Sequence, residues 1–295
     1  MASASTQWRR AWWRPRCRAS PRRTPAARQP SACRRCNAWP NPTTSPASSR
    51  SWPRTSRAGS PVTRCAWMAA PSSEPPPIQS LKEIQMKLYH STSSPNSRRV
   101  RILLAEKGLT PTLVPVDLGT GEQHGDAYRA INPRRVVPTL VLDDGTTIGE
   151  VPVISRYLDD VYPTPSLFGT TPAEQAVVSM WDRRIEQEGF ASVMEAIRNK
   201  APGLKGRAIA GPHDYEQIPA LVERSTRRVK NLFADMNARL AESPFAAGEN
   251  FSVADITLLV TVDFAAKAID LSIPEEFHAL RRWYDAVSLR GSAAA

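Results

Sequence analysis

Cysteine is absent from residues 86–295; all four (Cys17, Cys33, Cys36 and Cys65) fall earlier in the chain. The later part therefore needs no oxidising compartment, and a cytoplasmic location is expected. No apolar run approaches the roughly 18–20 residues of a membrane span, and no signal-peptide core is present. Residues 1–77 lack Leu, Ile, Phe, Tyr, Asp and Lys and hold a single Val. Such a segment cannot bury enough apolar surface to offset its ordering entropy, so residues 1–85 are expected to be a disordered basic extension.

The formal charge of +11 first suggests a nucleic-acid or acidic-membrane partner. Its location removes that inference. Of 39 basic and 28 acidic residues, 15 and 2 precede residue 86, which leaves 24 and 26 for the rest. The part that can fold is nearly neutral. Three readings of the extension compete. A transit peptide shares its Arg and Ser content, but "PRRTPAARQP" has too many prolines and no apolar stripe. A nucleic-acid arm would interleave Trp and Arg, as this segment does. The plainest reading is a start placed too early, with Met86 as the true start. Cys33 and Cys36 have CxxC spacing but lack the strand context of a redox or zinc motif, and no metal site is expected.

From Met86 the pattern becomes regular. "MKLYH" reads as a strand, followed by a helix from about Asn96 to Lys107, with Val100, Leu103, Leu104 and Lys107 at i, i+3, i+4 spacing. "TLVPVDL" (112–118) reads as a second strand, and "VVPTLVLDDGTTIGE" (136–150) as a hairpin turning at Asp143-Asp144-Gly145. Pro152 opens a helix. These elements predict one small α/β domain over 86–162. Beyond the turn-rich linker 163–170 only helical patterns follow. One long helix is expected from Thr171 to about Asn199 and another from about Tyr215 to Ala241. A third begins at a capping box of Ser252 and Asp255, with Phe251 and Ile256 as its staple, and a last lies near 277–287. Residues 171–290 are thus predicted to form an all-α domain.

The order βαβ–ββα then all-α, with "NPRRVVPTL" (132–140), "GEVPVISRYL" (149–158) and "FSVADI" (251–256) in sequence, resembles the glutathione transferase superfamily over residues 86–290. The resemblance implies a thioredoxin-like first domain, glutathione as co-substrate, a homodimer and no metal. It also implies a cis peptide before Pro138. In theta-, delta- and zeta-like classes a catalytic serine lies six residues before the helix valine, here Ser94. In nu-like enzymes an asparagine touches the sulfur, here Asn96. Beta- and omega-like classes use a cysteine, which residues 86–295 lack. Val137, Pro138, Glu150, Val151 and Arg135 (or Arg134) are then the expected glutathione contacts. Val151 stands where the family has serine, and Val136 where it has Gln or Lys.

The chemistry fits the loop "HSTSSPNS" (90–97). A free thiol with a pKa near 8.5 is only about 3% ionised at pH 7, and hydroxyl and amide donors at a helix N-terminus favour the anion. Ser94 looks too early to cap the helix, whereas Asn96 could cap or touch sulfur equally well. Met180, Trp181, Arg184 and Glu188, at helical spacing, are candidates for the wall facing a hydrophobic electrophile, although ordinary core packing is the favoured reading of Met180 and Trp181. Conjugation is the leading expectation. Glutathione-dependent peroxide or disulfide reduction and a non-catalytic glutathione-binding module are the alternatives.

Overall fold

The computed structural model describes residues 86–295; the readings of the basic extension, of Cys33 and Cys36 and of its nucleic-acid arm lie outside the described residues. Strand β1 (Lys87–His90) is central in a four-stranded sheet of order β2-β1-β3-β4. It pairs parallel with β2 (Thr112–Pro115) and antiparallel with β3 (Thr139–Val141), which pairs antiparallel with β4 (Thr147–Ile148). Alternation along β1 sends Leu88 into the main core beside Leu140, its register partner. Tyr89 points to the other face, where it meets Tyr128 of helix α2 (Asp126–Ile131) edge-on at 6.0 Å. Helices α1 (Pro95–Glu106) and α3 (Val151–Val161) cover the main face through Val100, Leu103, Ile154 and Leu158. This is the expected thioredoxin-like arrangement.

Two sequence expectations are corrected here. The second strand stops at Pro115, because the Asp117 carboxylate takes the Gly119 and Thr120 N–H groups and turns the chain. Residues 215–219 are not helical. Gln217 donates to the carbonyls of Arg198 and Ala201, and Ile218 donates to the Asn199 side chain, so the segment is tied across to the preceding helix. Pro219 then disfavours helix in the residue before it.

The remaining elements are helices α4 (Pro172–Ile185), α5 (Ala191–Lys200), α6 (Ala220–Glu242), α7 (Val253–Ile269) and α8 (His278–Ser288). The single long helix expected from Thr171 to Asn199 is interrupted by a π-helical turn, Glu186–Phe190. There the backbone presses on α6 and α7: a Cβ on Gly189 would lie 2.2 Å from Leu232 Cδ2 and 2.9 Å from Thr261 Cγ2. Only glycine allows that approach. Helix α7 is buried on nearly every side, and Asp255 of its capping box is fully enclosed. Its carboxylate accepts from Ser252 N and Oγ, Ala246 N and Trp283 Nε1 at 2.9–3.0 Å.

Arg99 ties the sheet domain to the helices. The side chain is buried, with Nη1 on Glu186 at 3.0 Å, Nη2 on Thr257 at 2.9 Å and Asp182 at 3.8 Å. Arg98 pairs with Asp263 at 2.6 Å, and Glu106 receives Arg290 and Ser292 from the chain end. These contacts fix the position of α1, and with it the loop at its N-terminus.

Candidate active site

The loop before α1 closes on itself through its own hydroxyls. Ser94 N donates to Ser91 O at 3.2 Å, Ser91 N to Ser97 Oγ at 3.2 Å, and Ser97 N to Ser94 Oγ at 3.2 Å. Ser91 Oγ and Ser93 Oγ share a hydrogen bond, and Arg101 Nη1 reaches Ser91 O at 3.1 Å. The polarity of the stretch is thus partly structural.

Ser94 is the N-cap, contrary to the expectation that it lies too early: the helix starts at Pro95, one residue sooner than the pattern suggests. Pro95 holds Ser94 extended, which suits a cap. Capping does not exhaust the hydroxyl. Its oxygen accepts from Ser97 N, while its proton has no acceptor among the described residues. Asn96, the second helical residue, caps nothing, and its amide makes no hydrogen bond among the described residues.

Two cavities flank this helix start. The larger, about 1160 Å³, has Asn96, Arg134, Val137, Pro138, Glu150 and Val151 on its sheet-domain wall. The smaller, about 340 Å³, is lined by Ser93 and Ser94, by the apolar side chains Ile197, Val260, Phe264 and Ala268, and by the charged Arg98, Asp263 and Lys267. Asn96 and Ser94, two residues apart, therefore serve different cavities.

The Val137–Pro138 peptide is cis, as the motif implies. Arg134 rather than Arg135 lines the cleft; Arg135, held at φ 56°, is not among the lining residues. Glu150 also has positive φ, 64°, and sits at the start of α3 with an exposed carboxylate in no ion pair among the described residues. A non-glycine residue held there is strained by about 1–3 kcal/mol, which points to function. Val151 is buried behind it.

The expected electrophile wall is largely corrected. Of Met180, Trp181, Arg184 and Glu188, only Glu188 lines either of these two cavities. Met180 is 57% exposed, and Trp181 is covered by the guanidinium groups of Arg184 and Arg239 at 5.4 and 5.1 Å. The π turn shifts the helical phase, so Ala191, Met194 and Arg198 face the larger cleft and Ile197 the smaller. A straight-helix count misses these four. The glycine at 189 is the one sequence signal that could have exposed the shift.

Among the described residues no three His, Cys, Asp or Glu side chains converge as metal ligands, and no helix is long and apolar enough to cross a membrane.

Comparison with known proteins bears on the two-domain fold. Residues 93–161 match the family model described as glutathione S-transferase, N-terminal domain, and residues 219–286 that of the C-terminal domain. The chain is 34% identical over 226 residues to glutathione S-transferase 2 of Saccharomyces cerevisiae, covering 70% of this chain and 88% of the relative. Maleylacetoacetate isomerase of Pseudomonas aeruginosa is 43% identical over 139 residues, 45% of this chain and 60% of the relative. A crystal structure of a glutathione S-transferase domain-containing protein from Marinobacter aquaeolei superimposes with a TM-score of 0.63 at 37% identity, over 70% of this chain and 98% of its own.

Proposed function

The chain belongs to the glutathione S-transferase family, and on that premise we propose that it activates glutathione as a thiolate and conjugates it to a hydrophobic electrophile. Glutathione lies along the sheet-domain wall of the larger cleft. The Val137 backbone pairs with the extended peptide in the manner of an added strand. Glu150 takes the γ-glutamyl ammonium, and the N-terminus of α3 takes its carboxylate. Arg134, which lines the cleft, replaces Arg135 as partner of the glycine carboxylate.

The sulfur then reaches the start of α1, with Asn96 on one side and Ser94 on the other. The Ser94 proton, which has no acceptor among the described residues, donates to it. That free donor at a helix N-terminus is the observation that carries the proposal. Lowering a thiol pKa by two units needs about 2.7 kcal/mol, within reach of two hydrogen bonds to the anion. An electrophile enters the smaller cavity beside Ser94, with its apolar part against Ile197, Val260 and Phe264. The thiolate lone pair forms the S–C bond; the displaced leaving group, or the electron pair of the attacked double bond, takes the negative charge.

Retention on immobilised glutathione and turnover of an activated aromatic electrophile test this reading. Retention together with conjugate formation is expected. Retention without turnover would favour a binding module, and no retention would overturn the proposal.

A further inference from the structure

Val137 is buried on the larger cleft, yet neither its N–H nor its carbonyl makes a hydrogen bond among the described residues. Buried backbone groups are nearly always paired, so this edge is open to a ligand. An open edge binds well only if it is aimed. The group that aims it lies one residue back.

Three side chains converge on the Val136 carbonyl. Tyr128 Oη reaches it at 2.7 Å and Asn132 Nδ2 at 3.0 Å, while Thr139 Oγ1 lies 3.3 Å away. Thr139 Oγ1 is also 2.9 Å from Tyr128 Oη and 2.8 Å from Asn132 Nδ2. The protons can be assigned without conflict. Tyr128 donates to Val136 O, Thr139 donates to Tyr128, and the Asn132 amide gives one proton to Val136 O and one to Thr139. The Asn132 oxygen accepts from Arg134 N at 2.9 Å. Burial raises the Tyr128 pKa, so the phenol keeps the proton it donates.

All three side chains are buried, and none lines either cavity. Tyr128 lies on α2 and Asn132 caps its C-terminal end, four residues on and so on the same face. The Val136–Val137 peptide is trans; the cis bond is the next one. In a trans peptide the C=O and N–H point to opposite sides of one plane. Holding the Val136 carbonyl therefore fixes the direction of the Val137 N–H.

We propose that Tyr128, Asn132 and Thr139 are positioning residues: without touching glutathione, they aim the Val137 N–H at its peptide backbone. Asn132 sets the chain direction at Arg134 as well. The inference rests on the glutathione site proposed above.

Tyr128→Phe keeps the ring against Tyr89 and removes only the hydroxyl. Thr139→Val removes the hydroxyl that bridges Tyr128 and Asn132. Each is expected to raise the glutathione Kd, read by calorimetry, and the glutathione KM roughly threefold to tenfold. The value of kcat, the electrophile KM and the pKa of the bound thiol should stay native, because the Ser94 loop is untouched. Thr139→Ser keeps the hydroxyl and should keep native affinity. Tyr128→Phe, the milder change, carries the test if Thr139→Val does not fold. Unchanged glutathione affinity in the folded variants, with or without a lower melting temperature, would overturn the inference. So would a joint change in glutathione affinity, electrophile KM and thiol pKa, the mark of a generally loosened site. A native protein that binds no glutathione would instead sink the proposed function, and this inference with it.

Discussion

Two neighbouring arginines show how far a sequence carries a residue assignment. "NPRRVV" offers Arg134 and Arg135 to the glycine carboxylate, and nothing in the string separates them. The folded chain does: Arg134 lines the cleft and Arg135, held at φ 56°, does not. Arg134→Ala is accordingly expected to raise the glutathione KM roughly tenfold with little change in kcat, since it removes a charge-assisted contact present in ground and transition states alike. Arg135→Ala should leave KM near the native value. The reverse pattern in steady-state kinetics would return the role to Arg135. The placement of Asn96, Val137 and Glu150 on the larger cavity and of Ser94 on the smaller was legible, because each sits at a fixed short offset from a turn, a proline or a helix start. That Ser94 caps α1 was not, since it depends on a helix boundary one residue from the expected one.

At the scale of elements, the capping box of α7 was readable as Ser252 followed three residues later by Asp255. The partners from afar, Trp283 and the Ala246 amide, were not, because they arrive through tertiary packing. Enclosure pushes the Asp255 pKa from 3.8 up to about 6. A folded pKa above the unfolded one means the folded state holds the proton more tightly. The stability this gives is fully present below pH 3.8 and is lost as pH rises toward about 6. Relative to Asp255→Asn, which cannot ionise, the native chain should lose about 3 kcal/mol of unfolding free energy across that window. Denaturant titrations giving parallel pH profiles for the two proteins would contradict the assignment. The π turn is the opposite case. Strict helical periodicity over 171–199 hid it, and so Ala191, Met194, Ile197 and Arg198, which follow the turn and line the cavities, were missed.

For the whole molecule, the two-domain order was legible because strand and helix periods switch cleanly at the 163–170 linker. The seam between the domains was not: Arg99 looks like one more helix-surface arginine, yet it is buried against Glu186 and Thr257. Exposed Val177 and Met180 on α4 leave apolar side chains on the outside of the helical domain. They are expected to meet a second copy of the chain in a two-fold, isologous dimer. Light scattering at micromolar concentration should give twice the chain mass, and Met180→Asp should shift the population toward monomer. A native protein that remains monomeric would exclude the dimer.

The whole scheme depends on one proton, that of Ser94, pointing at a sulfur. Thiolate absorbance of bound glutathione, followed across pH in the native protein and in Ser94→Ala, reads that contact directly. Loss of the cap should cost about 1 kcal/mol of stability in the variant whatever its chemistry. Loss of the donor should in addition raise the thiol pKa by about one unit or more while glutathione affinity stays nearly unchanged. Asn96→Ala, which removes no cap, provides the comparison. A thiol pKa that stays put in Ser94→Ala and moves in Asn96→Ala would contradict the account and give the sulfur to the amide.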